Sequence, residues 1–195
     1  MTVKQHQVLY NVLYFVTITC IDWIPIIERI NAYEKVKDQF MLLQKEACSI
    51  CGYVIMPNHF HFLVYLPQDK NLHKLVSNLK RFLTYSFIKE LTVLKEHEML
   101  LRLSQRVSAS ASLKGSKHKV FFDSFDAKPC WGAEFIQQKL DYMHANPISG
   151  KWMLARFPEE YVFSSAKFYA GLEDDPNLTD YRLLLEYGLI NPIQE

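Results

Sequence analysis

The sequence predicts an α+β domain built on a four-stranded antiparallel sheet, and three observations carry that expectation. Runs of β-branched and aromatic residues at 11–20, 52–56 and 59–66 alternate with two stretches whose apolar residues recur every three or four positions. Only Pro57-Asn58 separates the second and third runs, a turn that joins neighbouring antiparallel strands. The 195 residues are 49% hydrophobic, enough for one sizeable core without the help of disulfides.

Taken in order, Asn11 to Cys20 (NVLYFVTITC) alternates Val16, Ile18 and Cys20 with Thr17 and Thr19, which is the period of a strand. The uncharged stretch Gln5 to Ile21 contains Asn11, Thr17 and Thr19, so it reads as strand and not as a membrane span. Over 31–47 the period changes: Tyr33, Val36, Phe40, Leu43 and Ala47 form one side of an amphipathic helix. Gly52 to Met56 and His59 to Leu66 are the next two strands. Residues 71–91 return to helix, with Leu72, Leu75, Val76, Leu79, Phe82 and Leu83 inward. Lys74, Asn78, Arg81, Tyr85 and Lys89 lie along another face. His118 to Asp123 is expected as a short fourth strand. The order β-α-β-β-α-β is the ferredoxin-like arrangement, with both helices on one face of the sheet. A further helix at 133–146 is stopped by Pro147, and a tail runs to Glu195.

Charge is partitioned along the chain although the net charge is +1. Residues 66–119 carry eleven Lys and Arg against four Asp and Glu, whereas the last 38 residues carry two against eight. A positive middle followed by a negative end suits a binder of phosphates with an acidic tail. Residues 101–117 are small, polar and basic, and are expected as a flexible loop. Four cysteines (Cys20, Cys48, Cys51, Cys130), with no basic-then-apolar leader, point to reduced thiols in a cytoplasmic protein with no membrane partner.

Candidate chemistry centres on two places. His59 and His61 are two apart on a strand, so both side chains leave the same face while Phe60 and Phe62 leave the other. Two converging imidazoles can hold a metal ion. On the 133–146 helix, Gln138, Tyr142 and Asn146 stack at four-residue intervals beside an apolar stripe of Ile136, Leu140 and Met143. An amide oxygen can be a ligand beside imidazoles, and a phenol oxygen can attack phosphorus when a cation offsets the developing charge. Gln138 reads better as a solvent-facing helix residue.

These segments resemble a known family. GYVIMPNHFHFLV (52–64) is similar to the His-hydrophobic-His (HUH) signature of the single-tyrosine transposases of insertion sequences. QKLDYMHANPISGKW (138–152) resembles the nucleophile helix of their REP-associated branch, and EEYVFSSAKFY (159–169) is similar to that branch's tail. The resemblance implies a catalytic domain over 1–150 and a tail, 151–195, packed on or near it. It implies His59, His61 and Asn146 as ligands of Mg²⁺ or Mn²⁺, and Tyr142 as a nucleophile that cuts and rejoins single-stranded or hairpin DNA through a 5′-phosphotyrosine. Simpler insertion-sequence transposases usually carry Gln where Asn146 stands. Lys74, Arg81 and Lys89 are candidate phosphate contacts, with Tyr85 available for stacking. The chain is expected as a monomer or homodimer.

Two other readings compete. A domesticated relative that binds DNA hairpins without cutting would have nearly the same sequence. Cys48-x-x-Cys51 with His59 and His61 offers a Cys₂His₂ zinc set, but one residue separates the histidines where paired finger histidines are three to five apart. An RNA-recognition domain lacks its expected aromatic signature here.

Overall fold

The computed structural model describes residues 11–45 and 47–190; the start of the uncharged N-terminal stretch and the end of the acidic tail lie outside them. In chain order the elements are β1 (Val12–Thr19), α1 (Ile26–Arg29), α2 (Tyr33–Lys45), β2 (Ser49–Ile55), β3 (His59–Leu66) and α3 (Leu72–Val93). They continue with α4 (His97–Ser104), α5 (Ala109–Leu113), β4 (Asp126–Cys130), α6 (Gly132–Ala145), α7 (Ala166–Tyr169) and α8 (Tyr181–Glu186). The sheet is antiparallel throughout, in the order β2-β3-β1-β4. That is the ferredoxin-like order expected from the sequence.

Strand alternation divides the apolar residues between two cores. Val12, Tyr14, Val16 and Ile18 of β1 and Phe60, Phe62, Val64 and Leu66 of β3 face α2 and α3, which bury Val36, Phe40, Leu79, Leu83 and Phe87 against them. Leu13, Phe15, Leu63 and Tyr65 leave the opposite face and meet Ile136, Leu140 and Met143 of α6. Both faces of β3 are thus covered, and all eight of its residues are buried, which explains why its sequence is so nearly continuous in apolar side chains.

Three sequence expectations are corrected. The fourth strand is Asp126–Cys130 and not 118–123. The earlier segment meets the end of β1 through Phe122 N–H donating to Thr19 O and pairs just beyond it at the isolated Cys20–Phe121 bridge. Next, Lys80 Nζ donates to the carbonyls of Phe122, Asp123 and Ser124, holding that stretch out of the ladder. The true β4, DAKPC, has little strand propensity; it lies at the edge, where Pro129 is tolerated. Phe82, expected inward, is 49% exposed, because Leu79, Leu83 and Phe87 already define the buried stripe of α3. Residues 101–117 are not one irregular loop: they include the end of α4, anchored by buried Leu103, and α5, capped by Ser108.

The free edge of β2 is covered by the chain's own later segment. Ile55 N–H donates to Phe163 O, Tyr161 Oη donates to Ile55 O, and Thr179 N–H donates to Ile50 O. Edge groups left open would invite pairing with another chain. Within β2, a bulge between Ile50 and Gly52 brings Gly52 beneath α6. A Cβ there would meet Leu140 Cδ2 at 2.7 Å, with Met143 Cε at 3.2 Å and Ser165 Oγ at 3.3 Å. Gly52→Ala should therefore destabilise the fold by about 1–3 kcal/mol through overpacking. Urea denaturation checks this, and an unchanged midpoint would mean that α6 is free to move outward.

Candidate active site

Register and helix phase bring the sequence candidates together. His59 and His61 leave β3 on the α6 side, and Tyr142 comes down from α6 edge-on to His61, with ring centroids 5.5 Å apart. Phe15 stacks on His61 at 5.2 Å and also meets the Tyr142 ring edge-on at 5.9 Å, so the three rings form a triangle. The two imidazoles are 4.9 Å apart, centre to centre. His59, His61, Tyr142 and Asn146 line one open cleft of about 500 Å³, together with Trp23 and Asp126. Gly132, at φ +74°, turns the chain from β4 into α6, leaving Trp131 as the one residue between strand and helix.

Each histidine is held by its Nδ1 atom. Thr17 is the register partner of His61 on β1, which places Thr17 Oγ1 2.8 Å from His61 Nδ1. Asn58 donates through Nδ2 to Trp23 O, so its Oδ1 faces His59 and accepts from Nδ1–H at 2.7 Å. That tautomer leaves the His59 Nε2 lone pair available. His61 Nε2 is buried without any hydrogen-bond partner, an expensive state for a polar atom unless something else takes its lone pair. Burial lowers the pKa of His59 to about 4, with the Asn146 side chain opposing the shift, and that of His61 to about 3. Both are therefore neutral near pH 7, the state in which imidazole binds a metal.

Asn146 is the C-cap of α6. Its Nδ2 donates back to Tyr142 O at 2.7 Å, which fixes the amide and directs Oδ1 away from the helix. Two imidazole nitrogens, one of them orphaned, and an amide oxygen form a donor set that fits a divalent ion whose remaining positions are filled by water and phosphate oxygens. Among the described residues no group of three or more His, Cys, Asp or Glu is placed to hold a metal ion; the side chain of Asn146 lines the cleft beside the two imidazoles. The Cys₂His₂ alternative fails on placement: Cys48 belongs to the core under α2 and α3, and Cys51 to the core under α6. All four cysteines are buried free thiols, and burial pushes their pKa up at Cys20, Cys51 and Cys130.

A second histidine contact fixes α6 itself. His144 Nε2 lies 2.9 Å from Ser165 Oγ, which also accepts from Tyr53 N–H, tying helix, tail and β2 together. Burial lowers the His144 pKa to about 4. An unfolded imidazole takes its proton near pH 6.5, before the folded one does, so this contribution to stability is complete above pH 6.5 and is lost as the pH falls towards 4. In chelator, urea denaturation should show that decline, with a His144 share of up to about 3 kcal/mol. His144→Gln should flatten it; an identical pH profile in the variant would show that His144 is not held neutral.

The remaining candidates divide. Lys74, Arg81, Tyr85 and Lys89 are all exposed on α3, on the far side of the sheet from α6. Arg81 and Tyr85 line a second cleft and Lys74 and Lys89 do not. Gln138 is exposed and does not line the active-site cleft. Asn58, Trp23 and Asp126 escaped the sequence reading. The signal for Thr17 lies in its place on the polar face of an otherwise apolar strand.

Comparisons with known proteins bear on the family likeness of the histidine segment and on the fold. Residues 25–103 match the family described as "Transposase IS200 like", a stretch that includes both histidines and stops short of α6. No curated protein matches the sequence. A solved structure of a REP-associated tyrosine transposase bound to a REP hairpin shares the fold, with a TM-score of 0.60 and 13% identity over 92% of this chain and 98% of that one. No helix among the described residues is long and apolar enough to cross a membrane. The family match thus covers the segment with both histidines, and the shared fold extends over most of the chain.

Proposed function

We propose that the chain nicks and rejoins single-stranded or hairpin DNA, with Tyr142 as nucleophile and His59, His61 and Asn146 as the residues that hold a divalent cation. The orphaned Nε2 of buried His61, opening into the same cleft as Tyr142, carries this reading. When bound, Mg²⁺ or Mn²⁺ would supply positive charge against a phosphate oxygen.

The chain's own residues do the rest. Thr17 and Asn58 set the imidazole orientations through Nδ1. Phe15 and His61 hold the Tyr142 ring edge-on, while the ring remains 54% exposed and open to DNA. The phenol oxygen forms a bond to phosphorus as the bond to the 3′ oxygen breaks. The phenol proton passes to water in the open cleft, and the departing 3′ oxygen gains one. Because the phosphotyrosine remains a diester, a second 3′-hydroxyl can reverse the step and join DNA without ATP. Incubating the protein with Mg²⁺ and single-stranded DNA containing genomic inverted repeats should give a complex that survives denaturation. Binding without any such adduct would favour the non-catalytic hairpin-binding alternative.

A further inference from the structure

A second cleft, of about 750 Å³, opens between α3 and residues 107–123, within the range of about 300–1,000 Å³ typical of ligand clefts. Its walls carry Lys80, Arg81, Lys114, Lys117 and Lys119 against a single carboxylate, Asp123. Two of these cations are engaged internally: Lys80 on the 122–124 carbonyls and Lys119 on Asp123 at 2.6 Å. Arg81, Lys114 and Lys117 enter no ion pair among the described residues. They stand on facing walls, Arg81 on α3 and the two lysines on the segment after α5.

Packing anchors the end of that second wall, where Val120 and Phe121 are buried, but not its start. The helix α5 buries none of its residues, and Leu113 at its end is 91% exposed. The segment is nevertheless ordered by the Ser108 cap and by Lys119 N–H donating to Leu103 O. Like charges facing one another across a cleft repel unless an anion lies between them. Beside Arg81, the Tyr85 ring is 67% exposed, an arrangement that suits an unstacked base. The cleft also leads to the active site: Phe122, whose N–H donates to Thr19 O at the end of β1, lines both.

We propose that this cleft is a second DNA groove, holding the phosphodiester backbone of the single strand that flanks the scissile phosphate. Arg81, Lys114 and Lys117 contact phosphates, Tyr85 stacks on a base, and the strand passes over Phe122 around the edge of the sheet to Tyr142. The assignment rests on the transposase reading for the scissile end of that path, but the binding it describes is measured separately.

The test uses a fluorescein-labelled DNA hairpin, either blunt or carrying an oligothymidylate tail at its 5′ or its 3′ end, in anisotropy titrations across a salt series. The protein should bind one of the tailed hairpins at least about tenfold more tightly than the blunt one. Lys114→Ala with Lys117→Ala should abolish that advantage and lower the salt slope on the tailed hairpin by about 1.4, at about 0.7 per lost contact. Tyr85→Ala should weaken the tailed hairpin about tenfold and leave the blunt one unchanged. A tail that adds no affinity, or variants that weaken both hairpins equally, would overturn the groove. Covalent attachment scored on the same DNA separates the two readings: an adduct without a tail effect sinks only the groove, and a tail effect without an adduct sinks only the chemistry.

Discussion

Tyr142→Phe should abolish covalent attachment to DNA, by about 10⁴-fold or more as expected for loss of a nucleophile, and leave DNA affinity unchanged. The substitution removes one oxygen from a ring that is already 54% exposed, and that oxygen makes no hydrogen bond to any described residue. The edge-on contacts with Phe15 and His61 involve the ring and survive. Neither folding nor the cleft should change, so a denaturing gel with labelled DNA reads the chemistry alone. Attachment undiminished in the variant would place the nucleophile on another residue.

Loss of the histidine pair should be nearly as severe and should be visible without DNA. His61→Leu removes the Nε2 donor and supplies no other ligand while keeping a side chain packed against Phe15 and Tyr142, whereas His61→Ala also opens a cavity and confounds folding with chemistry. In the unaltered protein, Mn²⁺ at a hundred times its Kd should raise stability by about 2.7 kcal/mol, because an ion that binds only the folded state stabilises it. His61→Leu should lose that increment and reduce cleavage by about two or more orders of magnitude. Thermal unfolding with and without Mn²⁺ supplies the first readout. Normal cleavage by His61→Leu would rule out the metal role, whatever the stability data show.

The parts of the site that could be read from sequence are those whose periodicity survives folding. His59-Phe60-His61-Phe62 alternates across a fully buried strand, so its two faces could be assigned from spacing alone. The Ile136, Leu140 and Met143 stripe docks α6 on the sheet and leaves Tyr142 and Asn146 in the cleft, as helical phase requires. What could not be read depends on partners distant in sequence. Thr17 meets His61 through strand register across 44 residues, and Trp23 meets Asn58 through a backbone carbonyl. Asp126 enters the cleft on a strand that exists because β1 offers it an edge and Lys80 restrains the residues before it. No local propensity in DAKPC announces that.

One further consequence comes from the single residue, Trp131, that separates β4 from α6. With so short a tether, and with His144 fastened to Ser165 of the same chain, the helix cannot reach across to another copy's sheet unless β4 leaves β1. On the proposed reading, each polypeptide would then carry both halves of its own cutting centre, the imidazoles and the phenol. In a mixed population, disabled copies would dilute the working ones without poisoning them. Exchange between two DNA ends would then be a matter of two self-sufficient chains meeting, or of one chain turning over twice.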